Sequence, residues 1–233
     1  TIQYSHLPLK LGEDRTKLSK RHGDNSVTRF RKEGYLPEAV VNFLALLGWN
    51  PGDEREIFSL GSLVKEFSMD KVQKSNAVFN IQRLDWINGS YIRQKTSQDL
   101  AQLAAPYLPE TSLDAIEKVV VLYKERLKKL SEIGELADFF FTEKLEYPKE
   151  MLKWKQYSDK DIEKAFGTVE QILSLIPDAD WTKEVIGELL LKEAEKVGDR
   201  GYLLWPMRVA LTGKQASPGP FEVAEALGKE KAL

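Results

Sequence analysis

Two lysines three residues apart flank a small hydroxyl in the stretch Lys17-Leu18-Ser19-Lys20-Arg21-His22-Gly23. Ammonium groups on a loop that Gly12 and Gly23 leave free to move can be set against a polyphosphate, where charge developing in a transition state needs compensation. Lysine suits such a loop because it is a compact point charge on a flexible stem. Taken alone, the string is by default a solvated basic loop, and Ser19 competes as a helix cap. Residues 1 to 34 hold eight Lys/Arg against four acids, about +4 locally, while the whole chain carries only −2. Such a patch attracts phosphate, although charge alone does not separate it from an ordinary salt-laced surface.

Other chemistries have little to work with. There is no cysteine, and His6 and His22 are the only histidines, so thiolate metal sites, disulfides, zinc centres and serine-type triads are excluded or nearly so. No Gly-rich phosphate loop of either common form is present. No apolar run approaches the roughly 20 residues that span a bilayer. Thr1-Ile2-Gln3-Tyr4 shows neither a basic start nor an apolar core. The expectation is a soluble, cytoplasmic protein without metal or membrane partner.

The elements that must position these groups are helical. Leu36, Val40, Phe43, Leu44 and Leu47 make one stripe, entered through Pro37 and closed by Gly48, and Leu60, Leu63, Val64 and Phe67 make a second. Between Asp70 and Arg93 the mixed pattern predicts small helices on one core. Thr111 to Leu130 predicts one long amphipathic helix with a basic end, and Ile133 to Phe141 another. Tyr147-Pro148 reads as a linker. Helices follow around Ile162–Ile176, Val185–Ala194 and Pro206–Leu211, the last ended by Gly213. The loop Ser217-Pro218-Gly219-Pro220 then enters a final helix from Phe221 to Leu227. Trp86, Trp154, Trp181 and Trp205 are read as core or hinge residues. Buried strands alternating with helices are missing, so the chain is expected to be mainly α and not a parallel α/β nucleotide fold.

In that context the basic string resembles the KMSKS-type loop of class I aminoacyl-tRNA synthetases, in the K-L-S-K-R form of the glutamyl-tRNA synthetases. His6-Leu7-Pro8-Leu9 is similar to the strand leading into that loop. Gly34-Tyr35-Leu36-Pro37-Glu38-Ala39 and Asn42-Phe43-Leu44-Ala45-Leu46-Leu47-Gly48-Trp49 resemble the helix after it. Arg55–Leu60, Ala77–Asn80 and Leu84–Gly89 continue the likeness in order. Arg208-Val209-Ala210-Leu211-Thr212-Gly213 and Ser217-Pro218-Gly219-Pro220-Phe221-Glu222 resemble the family's anticodon-binding segment.

The resemblance implies that residues 1–94 are the end of a catalytic domain with the KMSKS-type loop and a stem-contact fold. It implies that 95–146 and 147–233 are two α-helical anticodon-binding lobes. It makes Lys20 the catalytic cation on ATP, Lys17 its support, and Lys17, Leu18, Ser19, Lys20 and Arg21 the ATP-binding loop, with Mg2+ accompanying ATP in a full-length enzyme. Arg126, Arg208, Ser217, Pro218 and Pro220 fall on anticodon-binding positions. Guanidinium suits that role, since it offers planar donors and can stack. Pro220 stands where the family commonly has a larger aliphatic residue, and Ser217 where it commonly has threonine. The bland alternatives are a solvated face for Arg126 and pairing with Glu222 or Glu225 for Arg208.

The HIGH-type motif that this family needs does not occur. The chain is therefore expected to be a carboxyl-terminal fragment that binds glutamate tRNA as a monomer, binds no cofactor alone, and leaves glutamate and ATP to a missing domain. The competing expectation is a stand-alone helical RNA-binding or protein-interaction module.

Overall fold

The computed structural model describes residue 4, residues 8–19 and residues 26–233, and among the described residues the named strands are two dipeptides. β1 (Lys10–Leu11) pairs in parallel with β2 (Ala77–Val78), Lys10 opposite Ala77 and Leu11 opposite Val78. Helices make up the regular structure elsewhere among the described residues, so the mainly α expectation holds. The chain forms two compact units: Thr1–Leu108 with Lys124–Ile133, and Pro109–Tyr123 with Gly134–Leu233.

The first unit contains α1 (Val27–Lys32), α2 (Pro37–Leu46), α3 (Leu60–Glu66), α4 (Ile81–Gln94) and α5 (Ser97–Ala104). Each start has a local cause. Ser26, Ser59, Asn80 and Thr96 accept main-chain N–H groups of the first turn, and Pro37 opens α2 at a position where its missing N–H costs nothing. Phe30, Tyr35, Phe43 and Phe79 form an aromatic core, with Phe43 and Phe79 edge-on at 5.0 Å. Two fully buried asparagines tie the helices together. Asn42 Oδ1 accepts from Phe58 N at 2.7 Å and Tyr91 OH at 2.8 Å, while its amide donates to Glu56 O at 3.0 Å. Asn88 Oδ1 accepts from Leu36 N at 2.8 Å.

The small helices expected between Asp70 and Arg93 are instead largely one helix, the 14-residue α4. Asn88 and Gly89 interrupt its apolar stripe because they face other main chain, and this hid the helical period. Trp86, expected in a core or hinge, is 49% exposed.

In the second unit lie α6 (Leu113–Tyr123), α8 (Asp159–Ser174), α9 (Lys183–Val197), α10 (Arg200–Thr212), α11 (Pro220–Leu227) and α12 (Lys229–Ala232); α7 (Glu132–Leu136) falls at the change of unit. α10 packs on α8, α9 and α11 and is the centre of this unit. α8 opens with a capping box in which Ser158 and Asp161 satisfy each other's main chain. The long helix expected from Thr111 to Leu130 stops at Tyr123. Leu127 and Leu130 are buried, as their spacing suggests, but in a turn that joins the first unit. No helix of the described residues is long and apolar enough to cross a membrane.

Candidate nucleic-acid interface

Lys17 stands at the base of a tight turn. Gly12 N donates to Thr16 O and Arg15 N donates to Gly12 O, each at 2.9 Å, and Leu18 N donates to Lys10 O at 2.8 Å. Leu11 and Lys17 form an antiparallel bridge, which fastens this hairpin to the β1–β2 pair. Asp14 accepts from the main chain and hydroxyl of Thr16, and Arg15 takes a left-handed φ of 61° at the tip. Gly12, expected to give freedom, is buried and hydrogen-bonded. Lys17 and Ser19 are exposed and Leu18 is half-buried. The cap of α1 is Ser26, not Ser19. Lys20, Arg21 and His22 lie outside the described residues.

Arg208 projects from α10. Asp199 caps this helix, and Gly213, at φ 65°, ends it in the left-handed conformation that glycine adopts without strain. Pro206 sits inside α10 and removes one helical hydrogen bond. Beside it, Trp205 tilts against Trp154 at 5.2 Å and donates its indole N–H to Met151 O at 2.8 Å. The Trp154 indole N–H points at the Asp199 carboxylate. Lys155 foremost, with Trp154 and the Gly201 N–H, holds that carboxyl below its usual range.

The guanidinium of Arg208 organises the loop after α10. Its Nη1 donates to Ser217 O, Ser217 Oγ and Pro218 O, each at 2.8 Å. Two protons serve three oxygens, so the contacts are shared. Thr212 Oγ1 donates back to Arg208 O at 2.7 Å and accepts from Lys214 N at 3.1 Å. Lys214 Nζ donates to Glu135 O and pairs with Asp138 at 2.8 Å. The loop is thus held at both ends. Pro220 starts α11 at its first turn and is buried, as are Ser217 and Pro218. Gln215 and Ala216 are the loop's exposed residues.

Arg126 is exposed in the turn that follows α6, within the first unit. Arg208, Ser217, Pro218 and Pro220 belong to the second. Beside α11, Asp114, Glu117, Glu222 and Glu225 surround a groove of about 560 Å3 that holds one lysine, Lys118. The field of such a groove disfavours phosphate.

Residues 99–233 match the family model described as anticodon binding domain. The chain belongs to that family. Residues 1–86 match the family model of tRNA synthetases class I (E and Q), catalytic domain. The glutamate–tRNA ligase of Dehalococcoides mccartyi is 39% identical over 99% of this chain and 49% of its own length. That of Moorella thermoacetica is 35% identical over the same shares. The chain spans about half the length of these curated relatives. A crystal structure of a glutamate tRNA ligase from Elizabethkingia meningosepticum, in complex with its amino acid, superposes with a TM-score of 0.78 at 28% identity, covering 100% of this chain and 50% of that one.

Within this anticodon-binding member, four of the five candidate base-reading positions gather around a single loop, and Arg126 stands on the other unit. Gln215 was missed by the sequence reading. Its one signal is an amide between Lys214 and Ala216, just before the loop Ser217-Pro218-Gly219-Pro220.

Proposed function

We propose that this chain is the tRNA-recognition part of a glutamate–tRNA ligase, the whole enzyme joining glutamate to the 3′ end of glutamate tRNA through glutamyl-adenylate. The observation that carries the reading is the Arg208-organised loop inside the matched anticodon-binding region, in a chain whose relatives are named glutamate–tRNA ligases. Residues 1–94 supply the KMSKS-type loop and the stem-contact fold, and 95–146 with 147–233 supply two anticodon lobes.

Arg208 shapes the loop, so that Gln215, Ala216 and the main chain meet unstacked bases, while Ser217, Pro218 and Pro220 fix its path. Bases in a splayed loop offer both edges and faces to such a surface. Arg126 reads a further anticodon base. In the whole enzyme ATP, with Mg2+, is the activating substrate. Lys17 offers an exposed ammonium on a pinned hairpin, which suits a polyphosphate; Lys20 is proposed as the cation that stabilises charge on the transferred group, with Leu18, Ser19 and Arg21 completing the loop. The Mg2+ is proposed to arrive with the nucleotide. The chain works in the cytoplasm as a monomer, binds tRNA, and does not aminoacylate by itself.

A titration of the 233-residue chain with glutamate tRNA and with an unrelated tRNA tests this. Cognate binding should be tighter, and both affinities should fall as salt rises, because phosphate contacts release counterions. Equal affinity for the two tRNAs would refute it and favour the stand-alone RNA-binding alternative, and no affinity for either would favour the protein-interaction one.

A further inference from the structure

The matched anticodon-binding region begins at residue 99, yet Lys124–Ile133, which carries Arg126, is part of the first unit. Its attachment there is extensive. Asn88 Nδ2 donates to Lys128 O at 2.6 Å, while Asn88 Oδ1 holds Leu36 N. Leu130 N donates to Gly34 O at 3.2 Å and Ser131 N to Glu33 O at 3.4 Å. Lys124 Nζ donates to Lys95 O at 2.6 Å, and Lys129 pairs with Glu33. Glu132 accepts from Lys128 N at 2.9 Å and Lys129 N at 3.2 Å, which closes the turn on itself.

The surfaces meet without room for side chains. A Cβ on Gly89 would stand 3.1 Å from Leu127 O, and one on Gly34 would stand 2.6 Å from Leu130 Cβ. Leu127 and Leu130 are buried on either side of these contacts. Arg126 is therefore flanked by anchored residues: Leu127 and Lys128 follow it directly, and Lys124 precedes it by two.

We infer that Asn88, with Gly89, is a positioning residue for anticodon discrimination: a buried amide on α4 fixes the turn that presents Arg126 to a base. This rests on the proposed reading of Arg126 as an anticodon contact. It deepens that reading by placing control of specificity in the stem-contact part of the chain, about 40 residues away in sequence. Rigid support of this kind is what selectivity needs, since a contact displaced by an ångström reads poorly.

The test is the affinity ratio between glutamate tRNA and three transcripts, each changed at one anticodon base. It is measured for the wild-type chain, R126A, N88D, G89A and the double variant N88D/R126A. N88D keeps the acceptor for Leu36 N and removes the donor to Lys128 O. R126A should narrow the ratio at one base by roughly 5- to 150-fold, the range of one base-edge contact. N88D should narrow it at that same base. The double variant should be no worse than R126A, since positions acting through one group are not additive.

G89A keeps the Asn88 partners and presses a Cβ to 3.1 Å from Leu127 O, so it should narrow the ratio at that same base by less than R126A does. It decides the matter if N88D does not fold. A uniform loss on all transcripts with the ratio intact in both N88D and G89A would make the role merely structural and overturn the inference. An R126A variant that keeps the full ratio would instead refute the anticodon reading of Arg126 itself.

Discussion

Replacing Arg208 by methionine keeps most of the stem and removes the guanidinium, so its effect can be worked from the loop geometry. Nη1 has two protons and reaches three oxygens at 2.8 Å, which limits the loss to two charge-assisted hydrogen bonds at a time. Such bonds contribute about 1.5–3 kcal/mol each. Arg208 is half-buried, so water recovers part of that, and Pro218 O keeps the hydroxyl donor of Ser217 at 2.9 Å. The expected cost is about 2–4 kcal/mol, confined to the second unit. Denaturant unfolding followed through tryptophan emission reports it, since Trp154, Trp181 and Trp205 all lie in that unit. R208K, with a point charge in place of the fork, should fall between wild type and R208M. The same proteins titrated with glutamate tRNA should lose about 1–3 kcal/mol of cognate affinity, R208A included, with a smaller loss on an unrelated tRNA. Stability of R208M within about 0.5 kcal/mol of wild type, the ordinary range for surface changes, would show that the guanidinium does not hold the loop. Equal losses on both tRNAs would mean that the loop serves the backbone alone.

Gly34→Ala places a side chain at φ +81° and a Cβ 2.6 Å from Leu130 Cβ, so it should destabilise the first unit by about 2–4 kcal/mol in urea unfolding, and a neutral result would remove the close approach of the Lys124–Ile133 turn. Burial would raise the carboxyl pKa of Glu38, but hydrogen bonds from Lys95 and its own main chain, with the Lys95 charge, hold it below its ordinary value of 4.5. A depressed folded value means stability that is present above pH 4.5 and lost as pH falls through the folded value. Glu33 behaves alike: burial opposes, while Arg29 and Lys129 prevail. Acid unfolding of the first unit should therefore steepen below pH 4.5, and E38Q should show a shallower slope there; a slope unchanged in E38Q would assign the acid sensitivity elsewhere.

Much of this architecture could be read from residue order because its causes are local. Pro37 at a helix start, Gly213 after a helix and Ser-Pro-Gly-Pro before the last helix act within a few residues, and each marks a boundary that the structure keeps. What escaped was set by partners far along the chain. The helix expected through Leu130 keeps its apolar spacing, but Lys128 O is taken by Asn88 and Leu130 N by Gly34 O, so the main chain leaves the helical ladder after Tyr123. In α4 the amide and glycine that make this docking possible look like breaks in a stripe. Burial explains the loop as well: Ser217, Pro218 and Pro220 sit at positions where the resemblance implies contact, and their side chains point away from solvent.

The two arginines then do different physical work, although one resemblance placed both on the anticodon. A guanidinium whose Nη1 is shared among Ser217 and Pro218 oxygens cannot also offer those protons to a base, so under the proposed function this edge of Arg208 acts through the path of the loop that exposes Gln215 and Ala216. Arg126 differs in its surroundings: the side chain is exposed, and the main chain after it is held by Asn88 and Gly34. In the proposed function, contact and support are thus divided between neighbouring residues in both places. If the proposed function holds, changes at Asn88 or Arg208 should alter which tRNA is preferred without touching a base. Mapping specificity from contacts alone would therefore miss the residues on which those contacts depend.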